Sequence, residues 1–127
     1  MIPGENLKYS KDHEWVRIDG ETATIGITNY AQVQLGDIVY VELPEIGMVA
    51  DRDEAICAVE SVKTAADVMT PVSGEVLEVN EKLEDNPELI NEDPYSAWIM
   101  KIQMADLSDL DNLLSEDEYA AFCEEEE

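Results

Sequence analysis

One stretch of the chain, residues 55–72, constrains the fold more than any other. Two apolar runs of strand length, residues 55–60 and 65–72, flank the mainly polar segment Ser61-Val62-Lys63-Thr64. Apolar runs this short, on either side of a polar break, are typical of a β-hairpin. The pattern therefore predicts a hairpin whose arms are largely buried and whose tip carries Lys63.

Shorter patterns elsewhere in the chain also predict strands and turns. Residues 15–18 and 22–27 alternate apolar and polar side chains around Asp19-Gly20, a dipeptide that favours hairpin turns. Thr28 is expected to cap a short helical turn, and Gly36 is expected to end it. Further strands are expected at residues 37–43 and 97–102, and one helical turn at residues 86–90.

Length and composition predict one packed domain. A chain of 127 residues, 45% of them hydrophobic, can bury a single core. No apolar run approaches the roughly 20 residues that cross a bilayer, and residues 1–6 lack the basic start and apolar middle of a secretion signal. Cys57 and Cys123 lie far apart and belong to no Cys-x-x-Cys pair. We therefore expect a cytoplasmic protein with reduced thiols.

The charge excludes several classes of partner. The chain has 31 acidic and 7 basic residues, so its formal net charge is −24. Such a charge repels nucleic acid and anionic membrane surfaces, and neither is expected as a partner. The acidic segments at 51–54 and 85–88 lack the ligand spacing of a calcium loop, and one histidine cannot build a metal site. No nucleophile motif accompanies His13, so we expect neither a metal nor an enzyme.

The acidic C-terminal segment, residues 106–127, is expected to form a helical extension packed on the β domain of residues 1–105. It holds ten acidic residues and no lysine or arginine. Ser115 and Glu118 have the spacing of a capping box, and apolar side chains follow at helical spacing. We expect a short helix packed by one face, with a frayed end at residues 124–127.

Two segments of the chain resemble each other. Residues 36–42 and residues 74–80 both run from a glycine through an acid and a β-branched residue to a valine and a polar end. The match predicts two related strand units that bracket the hairpin. A chance match between strands of similar composition is the alternative.

Lys63 has two interpretations from the residues alone. A lysine at a hairpin tip is a common solubilising device. It also presents a primary amine, which is protonated near neutral pH at its reference pKa of about 10.4 and so needs an enzyme to activate whatever acylates it.

The residues around Lys63 form a recognisable motif, the segment from Glu60 to Thr64 with Ser73-Gly74-Glu75-Val76 beyond it. This motif resembles the lipoyl-lysine hairpin of the H proteins of the glycine cleavage system. The resemblance covers nearly the whole chain. The other similar segments, in chain order, are Leu7-Lys8-Tyr9, His13-Glu14-Trp15, residues 23–28, Leu35-Gly36-Asp37, residues 41–44, Val79-Asn80 and residues 91–95.

The resemblance implies a mainly β fold and a covalent cofactor. The fold would be a hybrid barrel-sandwich of two small antiparallel sheets with pseudo-two-fold symmetry, a lysine-bearing hairpin and short helices including a C-terminal one. Lipoate would be attached to Lys63 as an amide, with Glu60, Ser61, Val62 and Thr64 around it. Biotin carriers, the alternative, usually place methionines on both sides of the modified lysine, where this chain has Val62 and Thr64.

The implied function is that of a non-catalytic lipoyl carrier. Its arm would take an aminomethyl group from a pyridoxal-phosphate-dependent glycine decarboxylase, deliver it to a tetrahydrofolate-dependent aminomethyltransferase and be reoxidised by dihydrolipoamide dehydrogenase. A lipoate ligase or a lipoyl or octanoyl transferase would modify Lys63. The alternatives are a lipoyl donor or relay for 2-oxoacid dehydrogenases and an acidic interaction module with an unmodified lysine.

The resemblance also implies a cleft for the loaded arm. Glu14 and Asp67 match family positions that line it, and carboxylates suit a cationic amine. For Glu14 an ordinary solvated acid is the alternative. His13 is expected to be structural, and Trp15, Trp98 and Cys57 to lie in the core.

The chain departs from the family pattern at three places. Thr64 stands where alanine is frequent, and Tyr30 stands where some members have a histidine. Between Tyr95 and Trp98 the chain is one residue short and lacks a usual glycine.

Overall fold

The hairpins predicted from the sequence build two antiparallel sheets. The computed structural model describes residues 7–126, with only the backbone of Glu126, so the expectations for residues 1–6 and Glu127 lie outside the described residues. The strands are β1 (Leu7–Tyr9), β2 (Glu14–Asp19), β3 (Thr22–Ile27), β4 (Ile38–Glu42), β5 (Val49–Ala50), β6 (Ala55–Ser61), β7 (Ala65–Met69), β8 (Gly74–Val79) and β9 (Met100–Met104). The helices are α1 (Asn29–Leu35), α2 (Lys82–Asp85), α3 (Leu89–Glu92) and α4 (Glu116–Glu126), with a 3-10 helix at Leu107–Asn112.

The strand order confirms the predicted fold class. One sheet has six strands in the order β1-β2-β3-β9-β8-β5, and the other has three in the order β4-β6-β7. Every pairing is antiparallel. Within residues 7–126 neither sheet closes into a barrel. None of the helices in that part of the chain has the length and apolar character needed to cross a bilayer.

The core lies where the apolar faces of the two sheets meet. Ile25 and Ile102 of the larger sheet and Val59 of the smaller sheet belong to one buried cluster. Buried and half-buried residues alternate along β9, as expected of a strand with one face in the core. The hairpin arms are less buried than predicted, because β6 and β7 bury only one face and leave residues such as Ala65 exposed.

The repeated segments at residues 36–42 and 74–80 contain β4 and β8, one strand in each sheet. The similarity therefore correctly identified two strands. The two-fold relation between them stays a prediction.

Two element boundaries differ from the prediction. The helical turn expected at residues 86–90 begins later, as α3 at Leu89, and the sequence analysis did not predict α2. Asn86, the residue before Pro87, adopts φ −133° and ψ 64° and ends α2, and Pro87 has no N–H for a helical hydrogen bond. The last strand begins at Met100 rather than residue 97, because the amide of Ala97 donates to Asp93 O in a turn.

The C-terminal helix begins with the predicted capping box. Glu118 N donates to Ser115 Oγ at 3.2 Å, and Ser115 N donates to Glu118 Oε1 at 2.9 Å. The frayed end was wrong for residues 124–126, which continue the helix, consistent with the good helix propensity of glutamate. Tyr119 of this helix stacks on Tyr9 of β1, with ring centroids 4.7 Å apart. The division of the chain at residue 106 stays a prediction.

Trp15 packs against Gly26 in the larger sheet. The Trp15 side chain is fully buried, and its Nε1 donates to Pro94 O at 3.0 Å. A Cβ atom at Gly26, the residue paired with Trp15 across β2 and β3, would lie 2.6 Å from Trp15 Cζ2. Glycine is therefore needed at position 26 to leave room for the indole.

We expect Gly26→Ala to lower the free energy of unfolding by about 2 kcal/mol, because the new methyl group overlaps the indole. In the Trp15→Phe background the same substitution should cost less than half as much, since the smaller ring leaves room. Urea denaturation of the four proteins in this double-mutant cycle measures the coupling. Additive costs would contradict the steric account.

Candidate functional site

Lys63 lies at the tip of a braced hairpin. Between β6 and β7, Ser61 N donates to Thr64 O at 2.7 Å. Ser61 Oγ accepts hydrogen bonds from Lys63 N and Thr64 N, both at 3.1 Å. Val62 N donates to Asp37 O at 3.0 Å and ties the tip to the loop after α1. The backbone of the tip is therefore held at four points.

The Lys63 side chain is exposed. Among residues 7–126 no acidic group forms an ion pair with its amine. Its stem runs beside Gly36, where an added Cβ would lie 3.2 Å from Lys63 Cε. Asn91 fixes the backbone at Gly36, which we call the ledge. Its Nδ2 donates to Gly36 O at 2.9 Å, and its Oδ1 accepts from Ile38 N at 2.8 Å. The amine is thus accessible to a modifying enzyme.

We expect Ser61→Ala to speed hydrogen exchange at the Lys63 and Thr64 amides by about fivefold, because each loses an acceptor worth about 1 kcal/mol. Hydrogen exchange followed by NMR gives the two rates separately. Ser61→Asn is the matched control, since its side-chain oxygen can accept the same bonds. Equal exchange rates in wild type and Ser61→Ala would show that the hydroxyl does not brace the tip.

A cleft of about 190 Å³ opens beside the hairpin. It lies between the start of β2, helix α1 and strands β6 and β7. Glu14 and Asp67, which the family resemblance placed at a cleft, both line it, and their role toward a loaded arm stays a prediction. Other residues of the lining are His13, Tyr30, Leu35 and Val59.

Glu14 is the buried acid of this cleft. Its side chain is only 1% exposed, so the interpretation as a solvated acid is wrong. Oε1 accepts from Ser10 Oγ at 2.6 Å, and Oε2 accepts from Met69 N at 3.1 Å. Burial raises the pKa of Glu14 to about 7, although these two hydrogen bonds act in the opposite direction. Asp67, in contrast, is exposed.

The pKa of Glu14 predicts a pH-dependent stability. The folded protein holds this proton to about pH 7, whereas the unfolded chain releases it near the ordinary pKa of 4.5. The folded state therefore binds more protons between these values, and wild type loses stability relative to Glu14→Gln as the pH rises through that window, by roughly 3 kcal/mol at most.

Urea denaturation at pH 5 and pH 8 measures this difference. The exposed Glu75→Gln, which removes one charge elsewhere, should leave the pH dependence of wild type unchanged. Parallel stability curves for wild type and Glu14→Gln would contradict the raised pKa.

Sequence reasoning missed part of the surroundings of the site. Tyr30, noted only as a departure from the family pattern, lines the cleft and stacks on His13 with ring centroids 4.5 Å apart. Gly36 was interpreted as a helix end and as the start of a repeated segment, and Asn91 only as part of a family-like segment, so neither was expected to support Lys63. The one sequence signal for Asn91 was its polar side chain next to the apolar Ile90. In α3, Ile90 is buried and Asn91 is half-buried.

Three other residues considered in the sequence analysis, Cys57, Cys123 and Trp98, do not line the cleft. Cys57 is a buried free thiol whose pKa is raised to about 12, mainly by burial, and Cys123 is a half-buried free thiol. Trp98 is half-buried rather than in the core, with Lys101 Nζ 5.0 Å from its ring centroid. Within residues 7–126 no three histidine, cysteine or acidic side chains are grouped to hold a metal ion.

Comparison with known proteins decides the family. A family model described as glycine cleavage H-protein matches residues 7–126. The chain belongs to this family, whose members are lipoyl carriers. It is similar to the glycine cleavage system H protein of Clostridioides difficile, with 59% identity over 119 residues that cover 93% of this chain and 95% of that protein. The Halothermothrix orenii H protein is 53% identical over 124 residues, 97% of each chain.

A solved H-protein structure has the same fold. The crystal structure of a glycine cleavage system H protein from Mycobacterium marinum matches with a TM-score of 0.85 at 39% identity. The match covers 94% of this chain and 97% of the other. The H-protein resemblance drawn from the sequence is thereby confirmed.

Proposed function

We propose that this chain is a non-catalytic lipoyl carrier of the glycine cleavage system, with lipoate joined as an amide to Lys63. The observation that supports it best is the exposed Lys63 side chain on a hydrogen-bonded hairpin tip, in a member of the H-protein family. An amine in an internal ion pair would resist acylation, and the described residues offer Lys63 no such partner.

The tip has the features that a modifying enzyme needs. Val62, beside the lysine, is 67% exposed, and Glu60 and Thr64 are also exposed. A lipoate ligase or a lipoyl or octanoyl transferase can therefore approach the lysine from several sides. The braced backbone limits the conformational entropy that is lost when such an enzyme binds.

The protein's part in the reaction is to present and deliver the arm. When bound, lipoate would supply a disulfide that opens as the decarboxylated glycine gives its aminomethyl group and electron pair to one sulfur and the other sulfur becomes a thiol. We infer that glycine decarboxylase, the aminomethyltransferase and dihydrolipoamide dehydrogenase dock on this chain in turn. Attachment to a docked domain gives the arm a high effective concentration in each active site.

The cleft that contains Glu14 and Asp67 suits a cationic load. Exclusion of water from the cleft slows hydrolysis of a group held in it. Asp67 offers an exposed carboxylate at its rim. Because the pKa of Glu14 is about 7, this group is partly ionised near neutral pH, and an ammonium beside it would favour the carboxylate further.

We expect Lys63→Arg to abolish lipoylation and carrier activity while leaving the fold intact, because arginine keeps the charge but has no amine to acylate. Intact mass after co-expression with a lipoate ligase, with peptide mapping, reports the modification. Glycine-dependent exchange of carbon dioxide with a glycine decarboxylase reports carrier activity.

Lys82→Arg is the matched control, since Lys82 is an exposed lysine of α2. It should be lipoylated and active like wild type. Exchange supported by Lys63→Arg would refute the assignment. A lipoylated wild type that fails in exchange but donates its lipoyl group to a 2-oxoacid dehydrogenase would favour the relay function instead.

A further inference from the structure

The Tyr119 hydroxyl connects the C-terminal helix α4 to the cleft lined by Glu14 and Asp67, which we call the arm cleft. The Tyr119 hydroxyl is hydrogen-bonded to His13 Nδ1 at 2.7 Å and to Thr28 Oγ1 at 2.6 Å. These partners are 106 and 91 residues away in sequence. Tyr119 itself is 8% exposed, so both bonds lie in a poorly solvated place, where hydrogen bonds are costly to break.

Both partners belong to structures that form the cleft. His13 lines the cleft, and its ring stacks on Tyr30, which also lines it. Thr28 is the N-cap of α1 and accepts from Ala31 N at 3.2 Å, and α1 carries Tyr30. The Tyr119 hydroxyl therefore holds the His13 ring directly. It holds the Tyr30 ring indirectly, through Thr28 at the start of the helix that carries Tyr30.

His13 needs external support for its position. Its φ of 67° lies in the left-handed region, which is uncommon for a residue other than glycine. Such a conformation persists only where surrounding contacts fix it. Tyr119 and Phe122 of α4 both contact the His13 ring, at centroid distances of 5.6 Å and 5.7 Å. Tyr119 in turn is fixed by stacking on Tyr9.

We propose that Tyr119 is a positioning residue of the arm cleft: through its hydroxyl, the C-terminal helix holds the His13–Tyr30 wall against which the loaded arm is shielded. This inference rests on the proposed function. It gives the acidic C-terminal helix a role in protecting the load, through a residue that does not itself line the cleft.

The first test needs no cofactor. His13 is the only histidine of the chain, so its imidazole gives one set of NMR signals. Tyr119→Phe should change the ¹⁵N shift of Nδ1 and the ring-current shifts of the imidazole, because it removes the hydrogen bond and loosens the stack. Tyr9→Phe is the matched control, since within residues 7–126 the Tyr9 hydroxyl makes no hydrogen bond and its ring still stacks on Tyr119. The control should leave both signals unchanged.

The second test uses the full-length lipoylated protein, loaded by a glycine decarboxylase and then separated from it. Without an acceptor, water attacks the methylene carbon and the carbon–sulfur bond breaks, which releases formaldehyde and ammonia and leaves a thiol on the arm. We expect Tyr119→Phe to raise this rate by about fivefold, the effect of one hydrogen bond of about 1 kcal/mol. Tyr9→Phe should match wild type.

A double-mutant cycle tests whether Tyr119 acts through His13. His13→Asn removes the ring, and asparagine tolerates the left-handed backbone. It should also raise the rate, and adding Tyr119→Phe should raise it by a smaller factor than in wild type, because only the hydrogen bond to Thr28 is then left to lose. Additive effects, an unchanged His13 spectrum in Tyr119→Phe, or equal release rates in Tyr119→Phe and wild type would each overturn the inference.

A failure of the proposed function would look different. Wild type would then gain no lipoyl group on Lys63 or accept no load from the glycine decarboxylase, and the inference would fall with it, whereas a load lost as fast as from free aminomethylated dihydrolipoamide would overturn only the inference. Protection in wild type that survives Tyr119→Phe overturns only the role of Tyr119.

Discussion

The candidate site depends on the exposed amine of Lys63, which forms no ion pair within residues 7–126 although the chain has a formal net charge of −24. An amine among so many carboxylates would readily form ion pairs, and a long flexible loop would let it reach them. The fold prevents this with a short tip whose own Ser61 fixes the backbone and whose Val62 is tied to Asp37. The stem then lies beside Gly36, which has no side chain to compete with it. The tip therefore combines a rigid backbone with a Lys63 side chain that forms no ion pair among the described residues.

The cleft beside the tip holds two acids in different environments. Glu14 is enclosed and hydrogen-bonded, and its pKa is raised, whereas Asp67 faces solvent. The difference comes from the two strands that carry them. Glu14 begins β2 in the interior of the larger sheet, where it bonds to the backbone of Met69, and Asp67 stands on the exposed face of β7. A cationic load would therefore meet one exposed carboxyl group and one buried carboxyl group whose raised pKa a nearby ammonium would lower.

Much of the fold could be predicted from local patterns. The β2–β3 hairpin, the Thr28 cap, the Lys63 hairpin and the capping box at Ser115 are short-range features, and each depends on residues close together in the sequence. The errors arose where an outside constraint decided the boundary. The Asn86-Pro87 step shifted the predicted helical turn to α3, and a turn around Asp93 delayed the start of β9.

The sequence by itself determined the mainly β architecture, the position of the hairpin and the residue at its tip, because strand alternation and turn chemistry act over a few residues. Resemblance to a family supplied Glu14 and Asp67 as neighbours. Only the tertiary structure decided that Glu14 is buried, that Asn91 fixes the ledge at Gly36, and that Tyr119 reaches His13. These contacts join residues 55 to 106 positions apart, and no local preference specifies them, since they exist only when the sheets and the C-terminal helix pack together.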